Sequence, residues 1–552
     1  MSTLAETRRT DMFPILSSAH IARLQAYGTL RRFEAAEVLS QSGDREGRVL
    51  VIVSGSVEIL RATLSGEERV TVHGPGQFTG EMSTLRGARS LVRARVHEAG
   101  EFIVIDHDNL RRLVQTDSEL SEIFMRAFIL RRMGLIETHG GDVVLVGSHH
   151  SAGTLRLQQF LTRNGIPYQS LDVETDPSVE AMLERFHVAA SEIPIVVCQS
   201  KKIMKNPSNA ELAECLGINP EYSDATLRDV LVVGAGPAGL AAAVYAASEG
   251  LDVLVLETSA AGGQAGSSSK IENYLGFPTG ISGRALAARA LNQAQKFGVD
   301  VAIGNSAVRL RCDRRPYEIE LSNGHTVRGR TVVIASGAEY RHLALPDLAR
   351  FVGVGVYYAA TTVESLLCND EEVIVVGGAN SAGQAAVFLA SSCRVVNVLI
   401  RGPGLSESMS RYLIRRIEDN PKIVLHARTE LTALEGTDHL ERVKWHDAVS
   451  GKDVTRDIRH VFLMTGAVPN TRWLQGCVPL DERGFVRTGT DLHAEHLLGA
   501  HWQLPRAPYL METAVPGIFA VGDVRSSSVK RVASAVGEGS ISIQLLHRVL
   551  QE

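Results

Sequence analysis

The segment RDVLVVGAGPAGLAAAVYAASEGLDVLVLE, residues 228–257, decides the fold of the larger part of this chain. Its β-branched run, Val230–Val233, predicts a buried parallel strand, and the alanine-rich stretch that follows predicts a helix. The turn between them carries the glycines of a G-x-G-x-x-G motif: Gly234, Gly236 and Gly239. Such glycines allow a tight turn, close approach of the backbone to a pyrophosphate, and close packing of helix on strand.

A second strand in this segment, DVLVLE, ends on an acid. Glu257 stands where a carboxylate can accept hydrogen bonds from ribose hydroxyls, and the N-terminus of the preceding helix offers backbone N–H groups to phosphates. A glycine turn alone is weak evidence, but strand, turn, helix and acid occur here in register. The segment therefore predicts a Rossmann-like unit that binds a dinucleotide.

The segment EEVIVVGGANSAGQAAVFLASSCRVVNVLIR, residues 372–401, repeats the pattern with an altered turn. Its turn residues are Gly377, Gly378, Ala379 (in the second glycine place) and Ala382 (in the third). The next strand ends in Arg401 with no acid. Because a guanidinium pairs with a 2′-phosphate that an acid would repel, the sequence favours NADPH over NADH, the alternative being a solvated surface arginine. Two such units imply electron flow from a nicotinamide through a flavin.

Further segments carry a family resemblance: GGQAGSSSKIENYLGFPTGISG (262–283), VVIASGAEYR (332–341), FLMTGAVPNT (462–471) and VPGIFAVGDVRSSSVKRVASAVGEG (515–539). In order and spacing, the chain from Arg228 to its C-terminus resembles bacterial low-molecular-weight thioredoxin reductases. The resemblance implies an FAD domain in two parts, 226–345 and 472–552, with an NAD(P)H domain, 346–471, inserted between them. It also implies further FAD contacts from Gly263, Gln264, Asn273, Gly522, Asp523, Arg531 and Val532.

The stretch GVYYAATTVESLLC, residues 355–368, stands where that family keeps a C-A-T-C dithiol. Ala359 and Thr362 replace the two cysteines, so thiol exchange cannot run at this position. The six cysteines of the chain form no C-x-x-C pair: Cys198, Cys215, Cys312, Cys368, Cys393 and Cys477. Their scatter predicts small buried residues without a disulfide or a metal site. Tyr357 and Tyr358 are candidates to stack near the flavin.

The N-terminal region, residues 1–136, has short strands broken by glycine turns, which predicts a small barrel or jelly roll. It resembles a cyclic nucleotide-binding domain, and the matching phosphate-cassette residues are Gly80, Glu81, Arg89 and Ser90. The cassette departs from the family in a shorter gap before Arg89 and in Leu91. The resemblance implies cAMP or cGMP as a regulator; the alternative is a retained barrel used for dimerisation or docking. The apolar closing helix, residues 117–133, favours a homodimer.

The middle region, residues 140–222, alternates strand and helix and resembles a glutaredoxin or thioredoxin fold. The resemblance implies a cis peptide before Pro194 and places the family's C-x-x-C on SAGT, residues 151–154. Both cysteines are again absent. Ser151 and Thr154 are expected to serve as N-cap residues of the following helix.

Composition excludes several classes of protein. The 552 residues are 44% apolar and 22% charged, with a net charge of −5, and no basic run indicates a nucleic-acid surface. No apolar run approaches the roughly 20 residues of a membrane span, and the N-terminus lacks the apolar core of a secretory signal. We therefore expect a cytoplasmic multidomain protein.

The two emptied dithiol positions suggest that electrons leave the flavin directly. The sequence resembles, in this respect, the ferredoxin or flavodoxin NADP reductases built on the same scaffold, which also lack the cysteines. The prediction is an FAD-dependent NAD(P)H oxidoreductase whose acceptor is a small molecule, a quinone or a ferredoxin- or flavodoxin-like protein. The alternatives are a slow sensor flavoprotein and a thioredoxin reductase that uses a distant cysteine such as Cys368 or Cys198. In that family the NAD(P)H domain rotates between two arrangements, one of which exposes the dithiol to a protein partner. Without a dithiol, that arrangement has no such role in this chain.

Overall fold

The computed structural model describes residues 9–45, 47–63, 66–137, 143–148, 151–173, 176, 179, 192–198, 202–220, 226–341 and 343–552. Within these residues, no helix has both the length and the apolarity that crossing a bilayer requires. The chain forms a barrel, a small α/β domain and two dinucleotide-type domains, so the predicted fold class is confirmed. The boundaries set between these domains from the sequence stay predictions.

The N-terminal domain is a β-barrel packed against helices. Its elements are α1 Arg9–Met12, α2 Ser18–Leu24, β1 Thr29–Phe33, β2 Val38–Ser40, β3 Val49–Ile52, β4 Ser56–Thr63, β5 Gly66–His73, α3 Met82–Arg86, β6 Arg93–Glu98, β7 Gly100–Ile105, α4 His107–Thr116 and α5 Ser118–Glu137. The sheets have the orders β1-β7-β3 and β2-β6-β4-β5. Helix α5 buries Phe124 and Phe128 against Phe78 of the barrel, with the Phe78 and Phe124 rings stacked at 4.1 Å. Much of the apolar surface of α5 is thus buried inside the chain, and the homodimer stays a prediction.

The middle domain has a sheet in the order β11-β10-β8-β9. Its elements are β8 Val143–Gly147, α6 Ala152–Arg163, β9 Gln169–Asp172, β10 Ile195–Cys198, β11 Lys202–Lys205 and α7 Asn209–Leu216. Strand β9 runs parallel to β8, whereas β10 and β11 are antiparallel, as in a thioredoxin-like fold. The Ile193–Pro194 peptide is cis, as the resemblance implied. Ser151 caps α6 as expected, by accepting from the Thr154 backbone N–H. The same expectation for Thr154 is wrong, because this residue lies within the first turn of α6 with its side chain buried.

The FAD-type domain has a sheet in the order β14-β13-β12-β17-β16-β15, with β28 beside β17. Its elements are β12 Leu227–Val233, α8 Pro237–Ser248, β13 Val253–Glu257, α9 Gly283–Lys296, β14 Asp300–Ile303, β15 Ala307–Arg311, β16 Tyr317–Leu321, β17 Thr326–Ile334, β28 Ile518–Ala520 and α15 Val532–Gln551; α14 Ala494–Gly499 precedes β28. Its core is continuous with that of the middle domain, since Leu157 and Phe160 of α6 belong to the same buried cluster as Val230 and Ala243.

The NAD(P)H-type domain has a parallel sheet in the order β19-β26-β20-β21-β22 and an antiparallel sheet β23-β24-β25. Its elements are β18 Ala338–Tyr340, α10 Leu348–Phe351, β19 Val356–Tyr357, α11 Thr362–Leu367, β20 Glu372–Val376, α12 Asn380–Leu389, β21 Val395–Leu399, α13 Arg411–Glu418, β22 Ile423–His426, β23 Thr429–Glu435, β24 Arg442–Asp447, β25 Lys452–Arg456, β26 His460–Leu463 and β27 Ala467–Pro469. Strands β18 and β27 pair antiparallel, so the two connections to the FAD-type domain run side by side. Ser336 and Asn470 exchange hydrogen bonds beside them.

The expectation that no cysteine forms a disulfide is wrong. Cys312 and Cys477 are bonded, with their Cα atoms 5.9 Å apart and a sequence separation of 165 residues. The returning chain packs Trp473 and Leu474 against the FAD-type core beside β15, which brings Cys477 to Cys312. Because the inserted NAD(P)H-type domain separates the two residues in sequence, spacing along the chain could not reveal the pair.

Candidate functional site

The turn after β12 forms an open cradle at the N-terminus of α8. Gly234 has φ +106° and packs so closely that a Cβ would lie 2.3 Å from the Ala335 carbonyl oxygen, and a Cβ on Gly239 would lie 1.9 Å from the Gly234 oxygen. At Gly236, by contrast, the nearest atom to an added Cβ is Gly263 Cα at 4.0 Å. No side chain caps the helix there, so its first N–H groups can bind a phosphate.

Glu257 is fixed at the end of β13 by backbone donors. Its Oε2 accepts from the Ala235 N–H at 2.8 Å, and its Oε1 accepts from Ser259 and Ala260 at 2.9 and 3.2 Å. The carboxylate thus ties the glycine turn to the loop after β13. Its predicted contact with ribose hydroxyls is compatible with this position and stays a prediction.

The residues assigned to FAD by resemblance lie on both parts of the domain. Gln264 is exposed and donates to the Ala338 carbonyl, while Asn273 lies on an exposed turn. On the second part, the Gly522 N–H donates to Glu538 Oε2 at 2.7 Å. Glu538 also pairs with Arg525, and sequence reasoning gave no signal for this buried acid.

Asp523 and the start of α15 lie beside that acid. Burial raises the pKa of the Asp523 carboxyl above its ordinary value, while Lys530 acts against this shift. Helix α15 begins at Val532 with Arg531 as its N-cap, and no side chain caps its first turn. A helix N-terminus in this state favours negative charge nearby. The assignment of these residues to FAD stays a prediction.

The second glycine turn connects β20 to α12. A Cβ on Gly377 would lie 2.4 Å from the Met464 oxygen, whereas Gly378 faces Ile400 and Ser408 at ordinary contact distances. Ala382 is fully buried where the helix packs, and Arg401 is exposed two residues after β21. An exposed guanidinium at this edge of the sheet is free to meet a phosphate from solvent, so the predicted coenzyme site keeps its geometry.

Tyr340 lies between the coenzyme turn and the second part of the FAD-type domain. Its phenol is hydrogen-bonded to Ser381, the residue before Ala382 in the coenzyme turn, and it lies within electrostatic range of Asp523. Burial raises the pKa of the Tyr340 phenol. Across the same boundary, Arg416 of α13 pairs with Glu272 of the FAD-type domain. Tyr340 and Arg416 therefore join the NAD(P)H-type domain to both parts of the FAD-type domain.

The emptied dithiol position lies at the start of α11, next to the middle domain, with Ala359 half-buried and Thr362 exposed. Thr361 caps α11, and Glu364, which is fully buried, accepts from the Thr361 N–H at 2.8 Å. The other Glu364 oxygen accepts from Gln159 of α6. Ala359 and Thr362 thus border a contact between domains.

The expectation that Tyr357 is free to stack near the flavin is wrong. Its ring is buried in the NAD(P)H-type core, with the Phe462 ring centroid at 5.3 Å and the His460 ring stacked at 6.0 Å. Strand β19 pairs with β26, which turns this side chain inward. Tyr358 is half-buried, and burial raises the pKa of its phenol.

The four free cysteines of the described chain come in two close pairs. Cys368 and Cys393 have their sulfur atoms 3.6 Å apart and no exposed surface. Hydrogen bonding to Cys393 and burial raise the pKa of the Cys368 thiol, which disfavours the reactive thiolate. Cys215 is hydrogen-bonded by Cys198, which lowers its pKa to about 7. Sequence spacing predicted neither pair, because each joins different elements of the fold.

The cassette residues of the barrel are engaged within the chain. Glu81 caps α3 through Oε1, whereas its buried Oε2 has no hydrogen bond and lies 3.6 Å from Arg132 of α5. Ser90 donates to the Val92 carbonyl at 2.8 Å, and the Gly80 carbonyl accepts from Arg131. Arg89 packs over Gly217, at the end of α7 in the middle domain. The predicted phosphate and ribose contacts stay predictions.

Both turns fit the cofactors that the sequence predicts. The open space above Gly236, the uncapped starts of α8 and α15, and the half-buried Asp523 suit the pyrophosphate and ribityl chain of FAD. The turn at Gly377 and the uncapped start of α12 suit a nicotinamide dinucleotide. When bound, these groups supply hydride transfer, and the chain supplies their binding and orientation.

Comparison with known proteins agrees with this geometry. The cyclic nucleotide-binding domain profile matches residues 30–117. A thioredoxin reductase of Mycolicibacterium smegmatis is 32% identical over 315 residues, 57% of this chain and 94% of that protein. A protein of Bacillus subtilis named NADH dehydrogenase is 30% identical over 320 residues, 58% of each chain.

A solved structure shares the fold. The crystal structure of the T. acidophilum thioredoxin reductase matches with a TM-score of 0.53 and 27% identity, over 59% of this chain and 99% of that one. The profile described as pyridine nucleotide-disulphide oxidoreductase matches residues 228–539, more than half of the chain. This chain therefore belongs to the pyridine nucleotide-disulphide oxidoreductase family and, like its thioredoxin reductase relatives, is an FAD-dependent oxidoreductase.

Proposed function

We propose that the chain passes electrons from NADPH through FAD to an acceptor that is not reduced by a local dithiol. One observation carries the proposal: the chain keeps two dinucleotide-type turns, the second with Ala379 and Ala382 in glycine places, whereas Ala359 and Thr362 occupy the expected dithiol position without a sulfur atom. The B. subtilis relative named NADH dehydrogenase supports an acceptor other than thioredoxin.

The residues around the two glycine turns would bind and orient the two dinucleotides. The glycine turns let the backbone meet the pyrophosphates, and Glu257 fixes the first turn through three N–H groups. Tyr340 is buried at the boundary between the NAD(P)H-type and FAD-type domains, where exclusion of water would favour hydride transfer between the bound groups. The positive end of α15 would stabilise negative charge on a flavin held by this part of the domain.

The test is a comparison of electron acceptors for the purified, FAD-loaded protein. NADPH oxidation is followed with ferricyanide, a quinone, a ferredoxin, and thioredoxin with its disulfide substrate. We expect turnover above about 1 s⁻¹ with an acceptor that contains no disulfide, and no disulfide reduction. Thioredoxin reduction that disappears in Cys368→Ser, but not in the matched buried variant Cys215→Ser, would instead assign the electron path to Cys368.

A second proposal is that the barrel regulates this activity by binding cAMP or cGMP. The buried Glu81 Oε2, which lacks a hydrogen bond, can accept from a ribose hydroxyl. The same turnover assay with and without cAMP or cGMP, and calorimetry with Glu81→Gln, tests this. Binding that is lost in Glu81→Gln and changes turnover supports regulation; binding that leaves turnover at its slow basal rate while the protein rearranges favours the sensor.

A further inference from the structure

Helix α6 of the middle domain is anchored to the FAD-type domain at its C-terminal end. Arg163 Nη2 donates to the Gly263 carbonyl at 2.9 Å, and Asn164 Nδ2 donates to the Ser259 carbonyl at 3.0 Å. Both acceptors lie in the loop that follows Glu257. Since Leu157 and Phe160 share the FAD-type core, this end of α6 is part of a single packed body.

The N-terminal end of α6 contacts the NAD(P)H-type domain at the emptied dithiol position. A Cβ on Gly353 would lie only 3.0 Å from Ala152 Cβ, so the SAGT segment at the start of α6 touches the loop that precedes the emptied dithiol position. Leu155, 5% exposed, belongs to the buried cluster of Tyr357 and Ala360. The Gln159 amide completes the contact through its hydrogen bond to buried Glu364.

Charge on α6 also complements both neighbours. Arg163 lies within electrostatic range of Glu257 on the FAD side and Glu364 on the NAD(P)H side. Burial lowers the pKa of this guanidinium, and the two carboxylates oppose that shift. A cation between two fixed acids resists separation of the domains that carry them. The same separation would also break the Arg416–Glu272 pair.

We infer that the thioredoxin-like domain is the resident partner of the NAD(P)H-type domain and holds that domain against the FAD-type domain. The surface at Gly353 and Glu364 is filled by α6, so an external dithiol protein cannot dock there without displacing it. The interface carries no sulfur at either motif, because Ser151, Thr154, Ala359 and Thr362 occupy those positions. The domain has become a brace rather than an electron carrier; its benefit to hydride transfer rests on the proposed function.

Hydrogen–deuterium exchange of the full FAD-loaded chain tests the contact. Gln159→Ala removes the bond to Glu364, while its neighbour Gln158 bonds Ser170 within the middle domain and provides the matched control, Gln158→Ala. We expect amides of residues 353–367 to exchange about tenfold faster in Gln159→Ala than in the control. A change of this size corresponds to the lower end of the free energy that a hydrogen bond to a charged group contributes. Ala152→Trp, which forces a ring against Gly353, is expected to have the same effect.

The outcomes separate this inference from the proposed function. Faster exchange in either variant, absent from Gln158→Ala at equal FAD content, supports the brace. Unchanged exchange at residues 353–367 in both variants overturns it. Flavin reduction by NADPH in the unaltered protein is measured in parallel; its absence would defeat the proposed function, whatever the exchange data show about α6.

Discussion

Replacing Arg401 by alanine tests the coenzyme assignment. The guanidinium is exposed at the carboxyl end of β21, so its attraction to a 2′-phosphate acts through water. A unit charge pair at 4 Å in water is worth about 1 kcal/mol, and a phosphate monoester carries about −1.5 to −2 charges. The interaction is therefore ~1.5–2 kcal/mol, which corresponds to roughly a 10- to 30-fold change in kcat/KM.

The assay measures kcat/KM for NADPH and NADH with ferricyanide as acceptor. Arg401→Ala should lower the value for NADPH and leave that for NADH unchanged. Arg394→Ala, at the opposite end of the same strand and also exposed, removes the same charge and should affect neither coenzyme. Salt should narrow the NADPH advantage of the unaltered protein, since screening weakens exposed pairs. An equal fall for both coenzymes, or no fall for NADPH, would refute a role for Arg401 at the 2′-phosphate.

Other predictions concern the FAD turn, the disulfide and the domain boundary. Glu257→Ala leaves three N–H groups without their acceptor and should yield protein with little bound FAD, read from the 450 nm absorbance per chain. Alkylation of denatured protein should label four thiols before reduction and six after it; six before reduction would contradict the Cys312–Cys477 bond. The hydrogen bond from Arg416 lowers the pKa of Glu272 below its ordinary 4.5, so this pair stabilises the fold above that pH and is lost as pH falls through the lowered pKa. The melting temperature should therefore exceed that of Glu272→Gln at pH 7, and the difference should vanish in acid.

Local features of the fold could be predicted because their causes lie close together in sequence. The glycine turns at Gly234 and Gly377 follow from backbone packing within one strand–turn–helix unit. Ser151 was predicted as an N-cap from its place before α6, and the structure shows that cap. Each turn and the N-cap depend on only a few consecutive residues, so the identities of those residues determine the local structure.

Contacts between domains could not be predicted, because they depend on how separate units pack. The Cys312–Cys477 bond joins the two halves of the FAD-type domain across the inserted domain. Tyr357 was expected at the flavin, but the pairing of β19 with β26 turns it into the core. Arg163 gave no signal at all, since an arginine near the end of an amphipathic helix is usually a solvated charge.

The contact made by α6 gives a reason why both dithiol motifs would lose their cysteines, rather than only one of them. A dithiol that exchanges electrons with a partner must meet that partner and then leave it, so a permanent apolar seal would be harmful while either motif still worked. Once both motifs lack sulfur, burying Leu155 against Tyr357 and Ala360 carries no such cost and contributes about 1.5–3 kcal/mol to the association of the domains. The buried contact of α6 and the absence of cysteines from both motifs are therefore consistent with each other. Restoring cysteines at Ala359 and Thr362 alone would place a dithiol beside the α6 contact, and we expect α6 to hinder thioredoxin from docking on it until Leu155 is also replaced.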